Sequence, residues 1–170
     1  MTKLTTWTGR TIDYADPQPE DINIVDIATA LSRECRYAGH ASDFYSVAQH
    51  SVLCSRIVPP EFAIEALLHD AAEAYVKDIP TPLKRMLPDY QFIEGLFDRA
   101  IRLHFGLPEA ISQRVMDADN ILLVTEVRDL FPVGRVLHNM TAEPMNGRIW
   151  PLAPETAKDQ FLERFNFLKR

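Results

Sequence analysis

Cysteine is scarce in this chain: Cys35 and Cys54 are the only two among 170 residues. With no CxxC pair and no framework of several bridges, a disulfide-stapled secreted scaffold is excluded, and a reducing compartment is the default. Long apolar runs are missing as well. The opening MTKLTTWTGR lacks the apolar stretch of about 7–15 residues that a signal peptide needs, and no later segment approaches about 18 uninterrupted apolar residues. The expected chain is soluble and cytoplasmic, with no membrane partner. Glycine is also sparse, 6 against 12 prolines, and neither a Gly-rich phosphate loop nor a Walker motif occurs, so any phosphate must be held by metal and side chains. Basic residues are outnumbered 18 to 24, for a net charge of -6 and a pI near 5.3. That balance argues against a broad grip on nucleic acid or anionic membrane, while a local Lys/Arg cluster still admits a small anionic ligand.

What is present is ordinary globular material. At 46% hydrophobic and 25% charged, the chain has enough apolar content to bury one substantial core, so residues 1–170 read as a single domain. Around Gly9, Thr5-Thr6-Trp7 and Thr11-Ile12-Asp13-Tyr14 suit a small N-terminal hairpin. Asn23 reads as an N-cap with Asp26 at N3, and Ile24, Ile27, Ala28 and Leu31 follow at helical spacing. Ser46 to Gln49 reads as a capping box for a second helix that carries His50 in its first turns. Pro60 opens a third, where Phe62, Ala66, His69 and Glu73 fall three or four apart until Pro80 forbids continuation. A short turn at Thr81-Pro82 precedes a helix from Asp89 to about Phe105, ended by Gly106. Pro108 is expected to open another helix running to Phe131. The segment after Pro132, with Gly134, Pro144, Gly147 and Pro151, reads as irregular, and Phe161, Phe165 and Leu168 mark a closing amphipathic helix. Trp7 and Trp150 are expected to anchor the two least regular segments to the core. The architecture is all-α, a compact helical bundle with the hairpin as its one β element.

Chemistry concentrates on three of these helices. His50, the adjacent pair His69-Asp70, and Asp119 within Asp117-Ala118-Asp119 each keep apolar company. A buried imidazole or carboxylate is costly unless paired or bound to metal, so their convergence predicts a mixed His/carboxylate site suited to a borderline divalent cation. His40, His104 and His138 read as loop or helix-end residues without such a role.

The order H…HD…D resembles the HD-domain metal-dependent phosphohydrolases, and the run HDAAEAYVKDIPTPLK from His69 to Lys84 is similar to the bacterial 5′-deoxynucleotidase subgroup and to phage deoxyadenosine triphosphate triphosphohydrolases. The resemblance takes in Cys35-Arg36-Tyr37, Tyr45 to His50 and Asp117 to Asp119, and so covers roughly residues 24–131. It implies an HD-type helical bundle whose metal (Zn, Co, Mn or Mg) is held by His50, His69, Asp70 and Asp119. Glu73 and Asp78 match the family's catalytic carboxylates; four residues after His69 on one helix face, Glu73 would sit above the metal rather than among its ligands. Arg36 and Tyr37 stand where the nucleotidases carry Arg followed by Trp, with a one-residue gap before His50; they and Lys84 are the implied substrate contacts, Arg gripping phosphate and Tyr stacking on base or sugar.

The implied reaction is hydrolysis of a deoxynucleoside 5′-phosphate at the α-phosphorus, in the host cytoplasm if the gene is a phage's. Triphosphohydrolase action on a purine deoxynucleotide such as dATP is favoured, because Arg36, Lys77, Lys84 and Arg85 near the motif exceed what a monophosphate requires. The alternatives are 5′-deoxynucleotidase action on dNMPs and, from another class, an inactive nucleotide-binding sensor. Relatives commonly pair or form hexamers, so a homo-oligomer is expected, with the stripe Phe161, Phe165 and Leu168 serving either interface or core.

Overall fold

The computed structural model describes residues 2–132 and 142–170. Gly134 and His138 lie outside the described residues. At the N-terminus, β1 (Lys3–Thr5) pairs antiparallel with β2 (Thr11–Asp13), Leu4 opposite Ile12, and Gly9 turns the chain at φ +82°. The hairpin docks through Ile12, which is fully buried.

Helix α1 (Ile24–Arg33) begins where the sequence predicts, with the Asn23 side chain accepting from the Val25 N–H. Asp26 at N3 is spent elsewhere: its carboxylate accepts from the Thr8 N–H and hydroxyl, both at 2.7 Å, tying the hairpin to the helix. The first tryptophan does not anchor this region. Trp7 is 65% exposed, with the Arg33 guanidinium over its ring at 4.8 Å from the centroid.

Helix α2 (Val47–Ile57) is capped by the Ser46 hydroxyl, which accepts from the Gln49 N–H at 3.2 Å. Only half of the expected capping box forms. The Gln49 amide donates to the Trp150 carbonyl and accepts from the Leu152 N–H, so a backbone hydrogen bond rather than the indole ties down the late irregular segment. The Trp150 ring is 67% exposed.

The third predicted helix is broken into two. Helix α3 covers Ala63–Leu68 and α4 covers Glu73–Val76. Between them Ala71, Glu73, Ala74 and Tyr75 donate to carbonyls three residues back rather than four, the tighter winding of a 3₁₀ turn. His69 and Asp70 therefore sit on that tight turn. Short α5 (Thr81–Lys84) and long α6 (Pro88–Phe105) follow, the latter closed by Gly106 at φ +68°. Pro108 opens no helix: α7 spans Gln113–Leu130 from a Ser112 N-cap, and the Pro108 carbonyl instead accepts from Arg102.

Helix α8 (Pro154–Leu168) packs on α1 and α2. Its aromatic stripe is core: Phe161 is fully buried and Phe165 meets Phe105 edge-on at 5.5 Å. The apolar interior falls into two clusters that share α2, one reaching Phe97 and Phe161, the other reaching Val115 and Leu122 on α7. The polar residues of interest lie on α2, the turn after α3, and α7. Among the described residues no helix is long and apolar enough to cross a membrane.

Candidate metal centre

Helix α2 delivers His50 into complete burial, and its ring is held from behind. Nδ1 lies 2.6 Å from Glu126 Oε1, and since that oxygen can only accept, Nδ1 carries the proton. His69 is fixed the same way, its Nδ1–H donating to the Ala66 carbonyl at 2.8 Å. Both Nε2 atoms are thereby turned to a common point, 3.3 Å apart. Asp119 Oδ1, from the facing side of α7, lies 3.1 Å from His50 Nε2 and 4.0 Å from His69 Nε2. Asp70 Oδ2 lies 3.2 Å from His69 Nε2 and 3.5 Å from His50 Nε2.

These separations fit a cation. Ligands about 2.1 Å from a tetrahedral ion stand about 3.4 Å from one another, and the donor atoms of His50, His69 and Asp119 all fall within 4.8 Å of each other. The backing acceptors, a carboxylate for one ring and a carbonyl for the other, are the supports that metal-bound histidines use. The donor set therefore fits a divalent ion, as the sequence predicts, with Asp70 alongside.

The electrostatics agree. Burial and the Arg36 guanidinium push the His50 imidazole toward its neutral form, yet Glu126 and Asp119 outweigh them and raise its pKa to about 9. Burial opposes the charge on Asp119 too, but the bond from His50 holds its pKa well below the usual carboxylate range. The pocket attracts positive charge.

Glu126 is the residue that sequence reasoning misses. It is fully buried on α7 and accepts from Tyr37 Oη, from Tyr45 Oη at 2.8 Å and from His50, with Arg36 Nε at 3.4 Å. Burial works against its ionisation, but Arg36 and His50 hold its pKa down at about 2. The one sequence signal was its place seven residues after Asp119, two turns along the same face of α7.

Arg36 and Tyr37 reach the site as expected but are already engaged. Arg36 Nη1 lies 3.4 Å from Asp70 Oδ2, and the Tyr37 ring meets Phe131 edge-on at 5.1 Å while its hydroxyl serves Glu126. Both line a cavity of about 740 Å³ that also meets Asp119, Asp78, Thr81 and Leu123. His40, read from the sequence as a loop residue, lines it too.

Glu73 and Asp78 open onto different cavities. Asp78 faces the one just described, whereas Glu73 lines a second, of about 430 Å³, bounded by His69, Asp70, Lys84 and Arg102. Glu73 is buried, its Oε2 without a hydrogen-bond partner among the described residues, and burial, then Asp70 and Asp78, push its pKa well above the ordinary carboxylate range. Burial raises Asp78 in the same direction. Because the helix breaks at His69, the simple one-turn stacking of Glu73 over His69 does not apply. Lys84 does not reach the larger cavity: its ammonium lies 2.6 Å from Glu94 Oε1 and 3.9 Å from Glu73 Oε1.

No family model matches the chain. Similarity to individual proteins is nevertheless clear. The uncharacterized protein RCAP_rcc00048 of Rhodobacter capsulatus is 36% identical over 61% of this chain and 58% of its own. The uncharacterized protein YfdR of Escherichia coli (strain K12) is 51% identical over 99% of this chain and 96% of that protein, and at that identity and coverage the chain belongs to the YfdR family.

Proposed function

We propose that the protein is an HD-type, metal-dependent phosphohydrolase acting on deoxynucleoside 5′-phosphates at the α-phosphorus. The observation that carries this is the donor set of His50, His69 and Asp119 with Asp70 within 3.5 Å of both Nε2 atoms, the rings backed by Glu126 and the Ala66 carbonyl, opening beside a cavity of about 740 Å³. A divalent ion held there supplies Lewis acidity toward a phosphoryl oxygen and lowers the pKa of water. The chain's own groups do the rest. The cavity falls within the range of about 300–1,000 Å³ typical of small-molecule sites. Tyr37, Leu123 and Phe131 offer apolar wall to a base or sugar, and Arg36 offers positive charge to the phosphate. Burial moves both Glu73 and Asp78 upward, the direction that favours a carboxyl able to carry a proton, and of the two Asp78 lines this cavity.

The basic groups counted in the sequence for a triphosphate are mostly spent. Arg36 faces Asp70 and Glu126, Lys77 pairs with Glu34 at 2.6 Å, and Lys84 pairs with Glu94. A triphosphate would have to break these pairs, so the charge inventory favours the monophosphate and 5′-deoxynucleotidase action. The triphosphohydrolase reading keeps the resemblance to the phage enzymes as its support.

Incubating the metal-loaded protein with dAMP and with dATP, then resolving nucleoside, phosphate and triphosphate, tests both. Deoxyadenosine from dAMP alone is the expected result, whereas intact triphosphate beside deoxyadenosine restores the other order. Binding without turnover under every divalent ion would leave a nucleotide sensor. Purified His69→Ala and Asp70→Ala should lose metal and activity together, while Glu73→Ala keeps metal and loses turnover.

A further inference from the structure

Three non-glycine residues among those described have positive φ: Tyr37, Ala38 and Lys77. The first two line the larger cavity, and the third immediately precedes Asp78, which also lines it. Lys77 is the extreme case. At φ +81°, ψ 154° it occupies a region that only glycine enters without steric cost. Such a conformation persists only where its surroundings hold it.

The holders are identifiable. Lys77 N–H closes α4 on the Glu73 carbonyl, and its own carbonyl accepts from Tyr90 Oη at 2.6 Å. Glu34, just past the end of α1, grips the strained link from both sides: Oε2 takes the Lys77 ammonium at 2.6 Å and Oε1 accepts from the Asp78 N–H at 3.3 Å. The Glu34 side chain is only 13% exposed, the Lys77 side chain 72%, so the pair is anchored at the carboxylate end. Glu34 is itself fixed, its carbonyl accepting from Val47 N–H at the start of α2, and Arg36 lies two residues on. One carboxylate thus ties the segment bearing Arg36 to the segment bearing Asp78.

We propose that Glu34 is a positioning residue for Asp78: it holds Lys77 in its positive-φ conformation and so presents the Asp78 carboxyl to the cavity that Arg36 also lines. This rests on the reading of that cavity as the site of phosphate-ester hydrolysis. The holding itself is a property of the fold and can be measured separately.

The test compares Glu34→Ala, Lys77→Gly, Lys77→Ala and the double variant Glu34→Ala/Lys77→Gly in the full-length, metal-loaded protein, by urea unfolding and by kcat and KM on the deoxynucleotide the wild type hydrolyses. At an unstrained loop position alanine stabilises relative to glycine. Here the order inverts, with Lys77→Gly unfolding at higher urea than Lys77→Ala. Glu34→Ala lowers kcat by about tenfold or more with KM within about twofold, and the loss shrinks in the Lys77→Gly background, where the backbone no longer needs holding. A Lys77→Ala protein as stable as Lys77→Gly, or a Glu34→Ala penalty equal in both backgrounds, overturns the proposal. If the wild type hydrolyses no deoxynucleotide with any divalent ion, the functional reading falls, and urea unfolding decides the rest: a Glu34→Ala stability loss that shrinks in the Lys77→Gly background shows that Glu34 holds a strained peptide, and an equal loss in both shows that it does not.

Discussion

A carboxylate that accepts from Tyr37, Tyr45 and His50, with Arg36 beside it, stands on the Nδ1 side of His50 rather than on the Nε2 side that Asp70 and Asp119 share, and this sets Glu126 apart from them. Its task is orientation. Glu126→Ala would leave the His50 Nδ1–H and the Tyr45 hydroxyl buried without partners, which costs about 3–5 kcal/mol in stability and weakens metal binding about 10–100-fold. Urea unfolding and metal titration of the variant check both. The proton on His50 gives a second expectation. Its pKa in the folded, metal-free chain is raised to about 9, above the unfolded value of about 6.5. The resulting stabilisation is complete below that unfolded value and disappears as pH climbs through the folded one. The metal-free protein should lose stability across that interval, and metal binding at pH 7.5 should release a proton and tighten as pH rises. Calorimetry in two buffers of different ionisation enthalpy measures the release; metal uptake with no proton released would contradict it.

Among the elements, those announced by their own caps were legible. Asn23 and Ser46 start α1 and α2 where the sequence says they should, and Gly106 ends α6. What failed depended on distant partners. Gln49 abandons the capping box because the Trp150 carbonyl and Leu152 N–H, about a hundred residues on, need it more. The break between α3 and α4 falls in Leu68 to Glu73, a stretch without glycine or proline, so local propensity predicts an unbroken helix there. The candidate site followed the same rule: His50, His69, Asp70 and Asp119 were readable from order and flanking run, whereas Glu126 acquires meaning only from neighbours that the fold brings in. Asp26, read as a capping acid, is the hairpin's tether. Asp26→Ala removes two hydrogen bonds to a charged acceptor, and a loss of about 2–3 kcal/mol is expected. Hydrogen exchange should show β1 and β2 opening while α2 and α7 stay protected; uniform destabilisation would place Asp26 in the global core instead.

For the molecule as a whole, the donor residues come from three elements that no single local unit contains, so occupancy and folding are linked. A divalent ion at about a thousand times its dissociation constant should add about 4 kcal/mol of stability, or roughly 8–16 °C in Tm at this chain length. Thermal unfolding with and without chelator reads this directly, and coincident curves would mean that the ion does not favour the folded form.

The spread of the donors along the chain also bears on how the protein is made. His50, His69 and Asp70 belong to the first half of the sequence, while Asp119 and the orienting Glu126 arrive together on α7. Synthesis runs from the N-terminus at about 5–20 residues per second, so for several seconds the emerging polypeptide carries both imidazoles without the helix that completes their surroundings. A partial site of that kind binds ions weakly. On the proposed reading of the site, an ion would be held firmly only once α7 has left the ribosome and docked, so the nascent chain would not be committed to whichever cation it meets first.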